Sequence, residues 1–420
     1  MREFQSIDGE MMIGGVKASD IAKRYGTPVY VTDEERLRSN FRRIDIAFNE
    51  RMPTRIHYAL KANNNLSILR ILQKEGSHID AVAIGEVDLC LRAGFAPGKI
   101  LYTGTSVSTE ELAGLVKRKI PINIDSISEM RRLAEIAPQG YPISIRVNPD
   151  VGAGHHSHVV TGAKTTKFGV PKGAIVNAYS EAMALGLEPF GIHCHIGAGV
   201  QDVEPFLHVT DVMIDIINEI KDVLGLHLEV LDLGGGIGIP YRPGENEMDV
   251  WALAEAIESR VRDATEIETL ALEPGRYIVC DSTVLLTRVN DVKETPEKRF
   301  VGVDAGFNTL IRPAFYGSYH HVAIANKFDR PADLVYDVVG PICESGDFLA
   351  KERRLPRVEE GDLVVVYDTG AYGFSMSSNY NARGKPAEVL VNEGETYLIR
   401  EAETIDDLIA HQKIPSRLMI

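Results

Sequence analysis

The chain has 420 residues, 44% of them hydrophobic and 25% charged, with a formal net charge of -15. That length is too great for one ordinary compact core and predicts a large α/β domain with a smaller partner; the composition is that of a soluble globular protein. The acidic balance argues against nucleic acid or an anionic membrane as a partner, and no apolar run is long enough to span a bilayer.

The N-terminus, MREFQSIDGEMM, is polar and lacks the apolar core of a signal peptide, which predicts a cytoplasmic protein. The first thirty residues carry short β-like pieces such as PVYVTD, and DEERLRSNFRRIDIAF (33–48) reads as a helix. Short apolar runs then alternate with amphipathic stretches, as expected of βα units. The runs are RIHYAL (55–60), IDAVAI (79–84), KILYTG (99–104), PINIDS (121–126), PISIRV (142–147), PFGIHCHI (189–196), LEVLDL (228–233) and ETLALE (268–273). Helical patterns such as SILRILQKEG, EVDLCLRAG and SEMRRLAEIA lie between them, with Ser126 and Ser128 as candidate N-caps and Gly76, Gly94 and Gly186 as candidate stops.

Eight such alternations predict a (β/α)8 barrel of the TIM type, with an open doubly wound sheet as the alternative. Polar residues favour the barrel. Lys61, Asp80, Thr103, Asp125, Arg146, His195, Gly234 and Glu273 each fall at or near the C-terminal end of a run. A barrel gathers those ends around one mouth, where active sites are built. After about residue 277 strand-like pieces follow one another with almost no helical periodicity. The expected domains are therefore a barrel over 33–276 and a second, all-β domain made of 1–32 and 277–420.

Four motifs carry candidate chemistry. In YALKANNN (58–65), Lys61 follows a buried strand directly. Burial lowers a lysine pKa and makes the amine nucleophilic; an exposed strand-end lysine is the plainer alternative. In LDLGGGIG (231–238), glycines after a strand let the backbone approach an anion such as a phosphate, or simply make a tight turn. LALEPGRY (270–277) ends a strand in an acid and a base three positions apart, either a surface ion pair or groups for a bound ligand. HCHIGAG (193–199) points two histidines to one face of a strand. Metal binding, stacking on an aromatic cofactor and an ordinary core histidine all remain open, and no third metal ligand is evident nearby in the sequence. The cysteines Cys90, Cys194, Cys280 and Cys343 show no CxxC spacing and are read as reduced thiols, three of them in the core.

YALKAN, HCHIG, GGGIG and EPGR, in this order on an expected barrel, resemble the alanine-racemase-like barrel decarboxylases that use pyridoxal 5'-phosphate (PLP). DAGFNTLIRPAFYGSYHH (304–321), GPICESGDFLA (340–350), GAYGFSMSSNYNARGKPAEVLV (370–391) and RVNPDVGAGHH with TGAKTTKFGV (146–170) resemble the branch that decarboxylates diaminopimelate. The likeness runs from about residue 20 to 415.

By this resemblance Lys61 holds PLP as a Schiff base and His195 stacks on its ring. Gly234, Gly235, Gly236 and Gly238 cradle the phosphate, with Arg276 close by. Glu273 pairs with the ring nitrogen, and Tyr372 reaches cofactor and substrate. The distal carboxylate of the substrate is held by Arg276, Arg312 and Tyr316, and its distal ammonium by Glu344. Cys343 is the acid that protonates the substrate carbon. The resemblance further implies a homodimer in which CESGD (343–347) of one subunit completes the site of the other. Ala198 and Ala83 stand where the family usually has serines, which puts the detail of cofactor anchoring in question; His158 stands where a tyrosine or lysine is frequent. The rivals are a decarboxylase of ornithine, arginine or carboxynorspermidine, a racemase of the same barrel, and a relative that has lost catalysis and binds or regulates partners. Gly152 to Thr166, two glycines before a histidine-rich stretch, is a candidate lid.

Overall fold

The computed structural model describes residues 2–151 and 166–419. His158 and all of the candidate lid except Thr166 lie outside the described residues. The chain divides into two compact units, one of residues 38–240 and 244–279 and the other of residues 1–37, 241–243 and 280–420.

The first unit is a closed parallel barrel. Its strands, labelled here within the barrel, are β1 (Thr54–Ala59), β2 (His78–Ala81), β3 (Ile100–Tyr102), β4 (Ile122–Ile124), β5 (Tyr141–Asn148), β6 (Leu187–His193), β7 (Val230–Asp232) and β8 (Thr269–Leu272). Each pairs in parallel with the next, and Leu270 of β8 lies opposite Thr54 of β1, which closes the ring. All eight coincide with the apolar runs, because strands covered on both faces read as nearly continuous hydrophobic segments.

Helices return the chain between strands and bury their apolar faces. In Leu66–Lys74, Ile68, Leu69, Ile71 and Leu72 are buried, and the Asn65 side chain accepts from the Ser67 N–H as N-cap. Ser126 caps Ile127–Ala134 by accepting from the Glu129 N–H, whereas Ser128 sits inside that helix. Gly76, Gly94 and Gly186 follow helix ends at φ +93°, +90° and +78°. These are left-handed conformations in which a side chain would be strained.

The second unit is mainly sheet. Its strands run in the order Phe348–Leu355, Leu334–Val339, Arg299–Val303, Thr283–Glu294, Val29–Asp33, Ala387–Asn392, Glu395–Arg400. The N-terminal strand Val29–Asp33 pairs antiparallel with Thr283–Glu294 and parallel with Ala387–Asn392, which ties the chain's beginning to its end. Buried Met11, Ile13, Val29, Val31, Leu286 and Val389 share one core cluster on this sheet. The unit also contains helices, among them Ala18–Tyr25. Among the described residues no helix is long and apolar enough to cross a membrane.

Candidate active site

The C-terminal ends of the barrel strands carry the polar side chains, and the geometry there is dense. Lys61 lies in the one-turn 3-10 helix Leu60–Ala62 just after β1. Its Nζ donates to Oδ2 of Asp80, on β2, at 2.6 Å. The Lys61 side chain is 36% exposed and that of Asp80 is wholly buried. Burial, with Glu273 second, raises the Asp80 pKa, and Lys61 opposes the rise. A carboxylate so placed favours a cation beside it, so it holds the amine at the barrel mouth.

Glu273, directly after β8, is 4% exposed. Its Oε2 lies 3.3 Å from Nε2 of His193 and its Oε1 accepts from the Thr103 hydroxyl at 3.4 Å. Asn123 in turn donates to the Thr103 hydroxyl at 3.0 Å. Burial alone would raise the Glu273 pKa, but His193 followed by Lys61 and His195 overcomes it and holds the group well below the usual carboxylate range. Glu273 is therefore a buried anion at neutral pH. His195, the second histidine of the strand, has its pKa pushed down to about 3 by burial and then by Arg146. Its ring is neutral at pH 7.

The glycine run explains how these groups come together. Gly234 has φ +70°, and a Cβ there would lie 2.5 Å from the carbonyl oxygen of Cys194; a Cβ on Gly235 would lie 2.4 Å from that of Glu273. Both contacts are with backbone, which cannot yield. The turn is thus threaded between the His195 and Glu273 strand ends. The N–H of Gly234 is taken by Asp232 and that of Gly238 by the Val200 carbonyl, both at 2.8 Å. Gly235 and Gly236 are therefore the better candidates to donate outward to an anion. Arg276 is buried and opens the short helix Arg276–Val279.

The first histidine of the pair, His193, is fully buried. One ligand atom each from His193, Asp232 and Glu273 lie within 4.8 Å of one another, a group with the make-up of a metal site. Asp232 and Glu273 come from other strands, out of reach of a local sequence search, and His195 is not part of the group. A hydrogen bond between His193 and Glu273 accounts for their approach without a metal.

The remaining predicted residues belong to the second unit. Arg312 is 2% exposed, and its Nε donates to Nε2 of His320 at 3.3 Å. An arginine cannot accept, so His320 carries its proton on Nδ1, 2.8 Å from the Tyr367 carbonyl oxygen. Ser318 accepts from the Arg312 Nη2 at 3.3 Å. The guanidinium is fixed in place before any ligand arrives. Tyr316 is half-buried, against the exposed Phe315 ring at 4.7 Å. Cys343 is exposed, and its Sγ donates to Oδ1 of Asn381 at 3.6 Å. Glu344 accepts from the Tyr380 hydroxyl at 2.7 Å. The loop that presents them is pinned by Asp347, whose carboxylate accepts the N–H of Phe307 at 2.6 Å and of Ile342 at 2.7 Å. Tyr372 has φ +59°, a left-handed conformation unusual for a non-glycine residue. The other three cysteines are buried, and Cys280 donates to the Asp368 carbonyl.

From the sequence, Thr103 was expected at the barrel mouth and His193 in the histidine pair, without their contacts to Glu273; Asn123 was missed, and Asp347 stood out only as the last residue of CESGD.

Residues 34–280 match the family model described as pyridoxal-dependent decarboxylase, pyridoxal binding domain. The diaminopimelate decarboxylase of Methanothermobacter thermautotrophicus is 49% identical over 98% of this chain and 97% of its own, and that of Archaeoglobus fulgidus 46% identical over 99% and 100%. Among solved structures, the crystal structure of the diaminopimelate decarboxylase of M. jannaschii in complex with L-lysine is similar at a TM-score of 0.94, with 36% identity over 99% of both chains.

Proposed function

The chain belongs to the pyridoxal-dependent decarboxylases, and from that premise we propose that it converts meso-2,6-diaminopimelate to L-lysine and carbon dioxide, the last step of lysine biosynthesis, with pyridoxal 5'-phosphate as cofactor. The observation that carries the reading is the match, over nearly the full length, to proteins named for this activity. The reaction class is that of a carboxy-lyase.

The residues at the barrel mouth fit the cofactor. Lys61 offers an amine beside a buried acid, Glu273 a carboxylate held ionised, and the Gly234–Gly236 turn a surface on which a side chain would collide with backbone. When bound, PLP supplies an electron-withdrawing ring that takes up the electrons left behind as carbon dioxide departs. Lys61 would carry it. Glu273 would hold a negative charge against the ring nitrogen, the neutral His195 would lie on the ring, and Gly235 and Gly236, with Arg276, would face the phosphate. Asp80 keeps the Lys61 nitrogen at the mouth while substrate enters and product leaves.

For the substrate, Arg312 presents a guanidinium already fixed by His320 and Ser318, a fork suited to the distal carboxylate. Arg276, Tyr316 and Tyr372 are the further assigned contacts, and Glu344 meets the distal ammonium. Cys343 donates a proton from Sγ to the substrate carbon. The unit that works is a homodimer in the cytoplasm, in which the loop holding Cys343 and Glu344 serves the barrel of a second copy. A substrate without the distal carboxylate leaves a buried arginine unpaired, which such sites reject strongly.

The test is product analysis after incubation with meso-diaminopimelate and PLP. Stoichiometric lysine and carbon dioxide are expected, with ornithine and arginine left unchanged. Release of carbon dioxide from ornithine or arginine, and none from diaminopimelate, would overturn the substrate assignment.

A further inference from the structure

The most confined titratable group at the barrel mouth is one that the reading above leaves without a task. His193 is fully buried, two residues before His195, and its Nε2 lies 3.3 Å from Oε2 of Glu273. Its Nδ1 has no partner among the described residues. An ionised carboxylate can only accept, so the proton of this contact is on Nε2. Burial raises the Glu273 pKa, and His193, then Lys61 and His195, lower it. Glu273 in turn raises the pKa of the buried carboxyls of Asp80, on β2, and Asp232, on β7. Of the cationic and imidazole groups that face Glu273, His193 acts first and lies within hydrogen-bond range.

We propose that His193 is a positioning residue that keeps Glu273 ionised and aimed at the cofactor's ring nitrogen, with Thr103, backed by Asn123, as the weaker second contact. The inference rests on the PLP reading of the site. A proton donor behind the carboxylate does what a donor behind a metal-ligating histidine does in reverse: it fixes orientation and charge of a group that itself makes the functional contact. Losing it lets Glu273 take up a proton and hand the ring nitrogen a neutral acid, which withdraws less electron density from the substrate carbon.

The experiment compares His193→Leu with His193→Gln, whose amide can still donate to Oε2. Both are loaded with PLP labelled with 15N at the ring nitrogen. Wild type and His193→Gln are expected to keep that nitrogen protonated at neutral pH, and His193→Leu to lose the protonated signal. In parallel kcat of His193→Leu falls about 10- to 100-fold with KM little changed, and the Gln variant recovers most of it. A structural role alone would not move the nitrogen signal. If the Leu variant does not take up cofactor, the infrared band of the Glu273 carboxyl in the apoprotein, isolated by difference from Glu273→Gln, decides. A protonated acid supports the proposal and an unchanged carboxylate overturns it. A Leu variant with a protonated ring nitrogen and kcat within about twofold of wild type also overturns it, as does a stoichiometric divalent metal found on His193, Asp232 and Glu273 in the purified protein. Wild-type protein that releases no carbon dioxide from diaminopimelate would sink the parent reading instead, and leaves the infrared comparison to judge this one.

Discussion

The Lys61 ammonium and the Asp80 carboxylate meet at 2.6 Å across adjacent strand ends, with Asp80 shut off from solvent. A buried acid with one cation beside it is costly to strand, so the pair has a structural role as well as a chemical one. The two separate in a pair of variants. Lys61→Ala should abolish both turnover and the visible absorbance of bound cofactor. Lys61→Arg keeps a cation for Asp80 but cannot be deprotonated to act as a nucleophile. It should therefore retain the thermal midpoint of the wild-type apoprotein while remaining colourless and inactive. A yellow, active arginine variant would remove Lys61 from its assigned place.

Cys343 is expected to behave differently. Its thiol is exposed, donates to Asn381, and belongs to a unit other than the barrel. Cys343→Ala should leave cofactor absorbance and its titration stoichiometry intact. Loss of a general acid should slow kcat by about 100-fold. Turnover of the loaded variant equal to wild type would place the acid elsewhere.

How much of this was legible in the sequence follows from the range of each contact. The eight barrel strands were readable because each is a short apolar run whose pattern is local, and their polar terminal residues named the mouth. The partners of Glu273 were not, because Thr103 and His193 come from strands β3 and β6 and meet β8 only when the barrel closes. The pairing of Val29–Asp33 with Ala387–Asn392 joins opposite ends of the chain and leaves no mark on either segment. Ser126 and Ser128 carry the same local signal, and only the position of the first helical turn chooses between them. The sequence pointed to Lys61, His195, the glycine run and Glu273 through their motifs, but it was silent on why the glycines must be glycines. The colliding atoms belong to Cys194 and Glu273, on strands to either side.

Ala83 offers a test of local energetics. It occupies the N-cap of Ile84–Arg92 at φ -151° and ψ 152°, with no side chain to accept a hydrogen bond. Neighbouring acids compensate in part: Glu111 accepts the Ile84 N–H and Glu86 accepts the Val82 N–H, both at 2.8 Å. A serine, the residue usual in the family, has the backbone conformation it needs already in place. Ala83→Ser should stabilise the protein by about 1 kcal/mol, read from the denaturant midpoint of the apoprotein. A lower midpoint would mean that Glu111 and Glu86 already satisfy the turn and the hydroxyl competes with them.

Acid sensitivity should originate at the other end of the barrel. His57 of β1 and His78 of β2 stack with ring centroids 5.2 Å apart, beside a small cavity of about 30 Å³. Burial, with His78 second, pushes the His57 pKa down to about 3, and burial with Lys99 pushes that of His78 down to about 4. The folded state thus holds both rings neutral, while the unfolded chain titrates them near 6.5. Protons bind preferentially to the unfolded chain below that value, so stability that is present above pH 6.5 is lost progressively as pH falls toward 4 and 3. At pH 5 the His57 share is about 2 kcal/mol. His57→Phe keeps a flat ring of similar size against His78 and cannot take up a proton. Its unfolding free energy should drop less than that of wild type between pH 7 and pH 5, by about that amount, leaving the His78 share in place. Parallel losses in the two proteins would show that the acid limb comes from other groups, with Glu273, whose carboxyl is held below the usual carboxylate range, the next to examine.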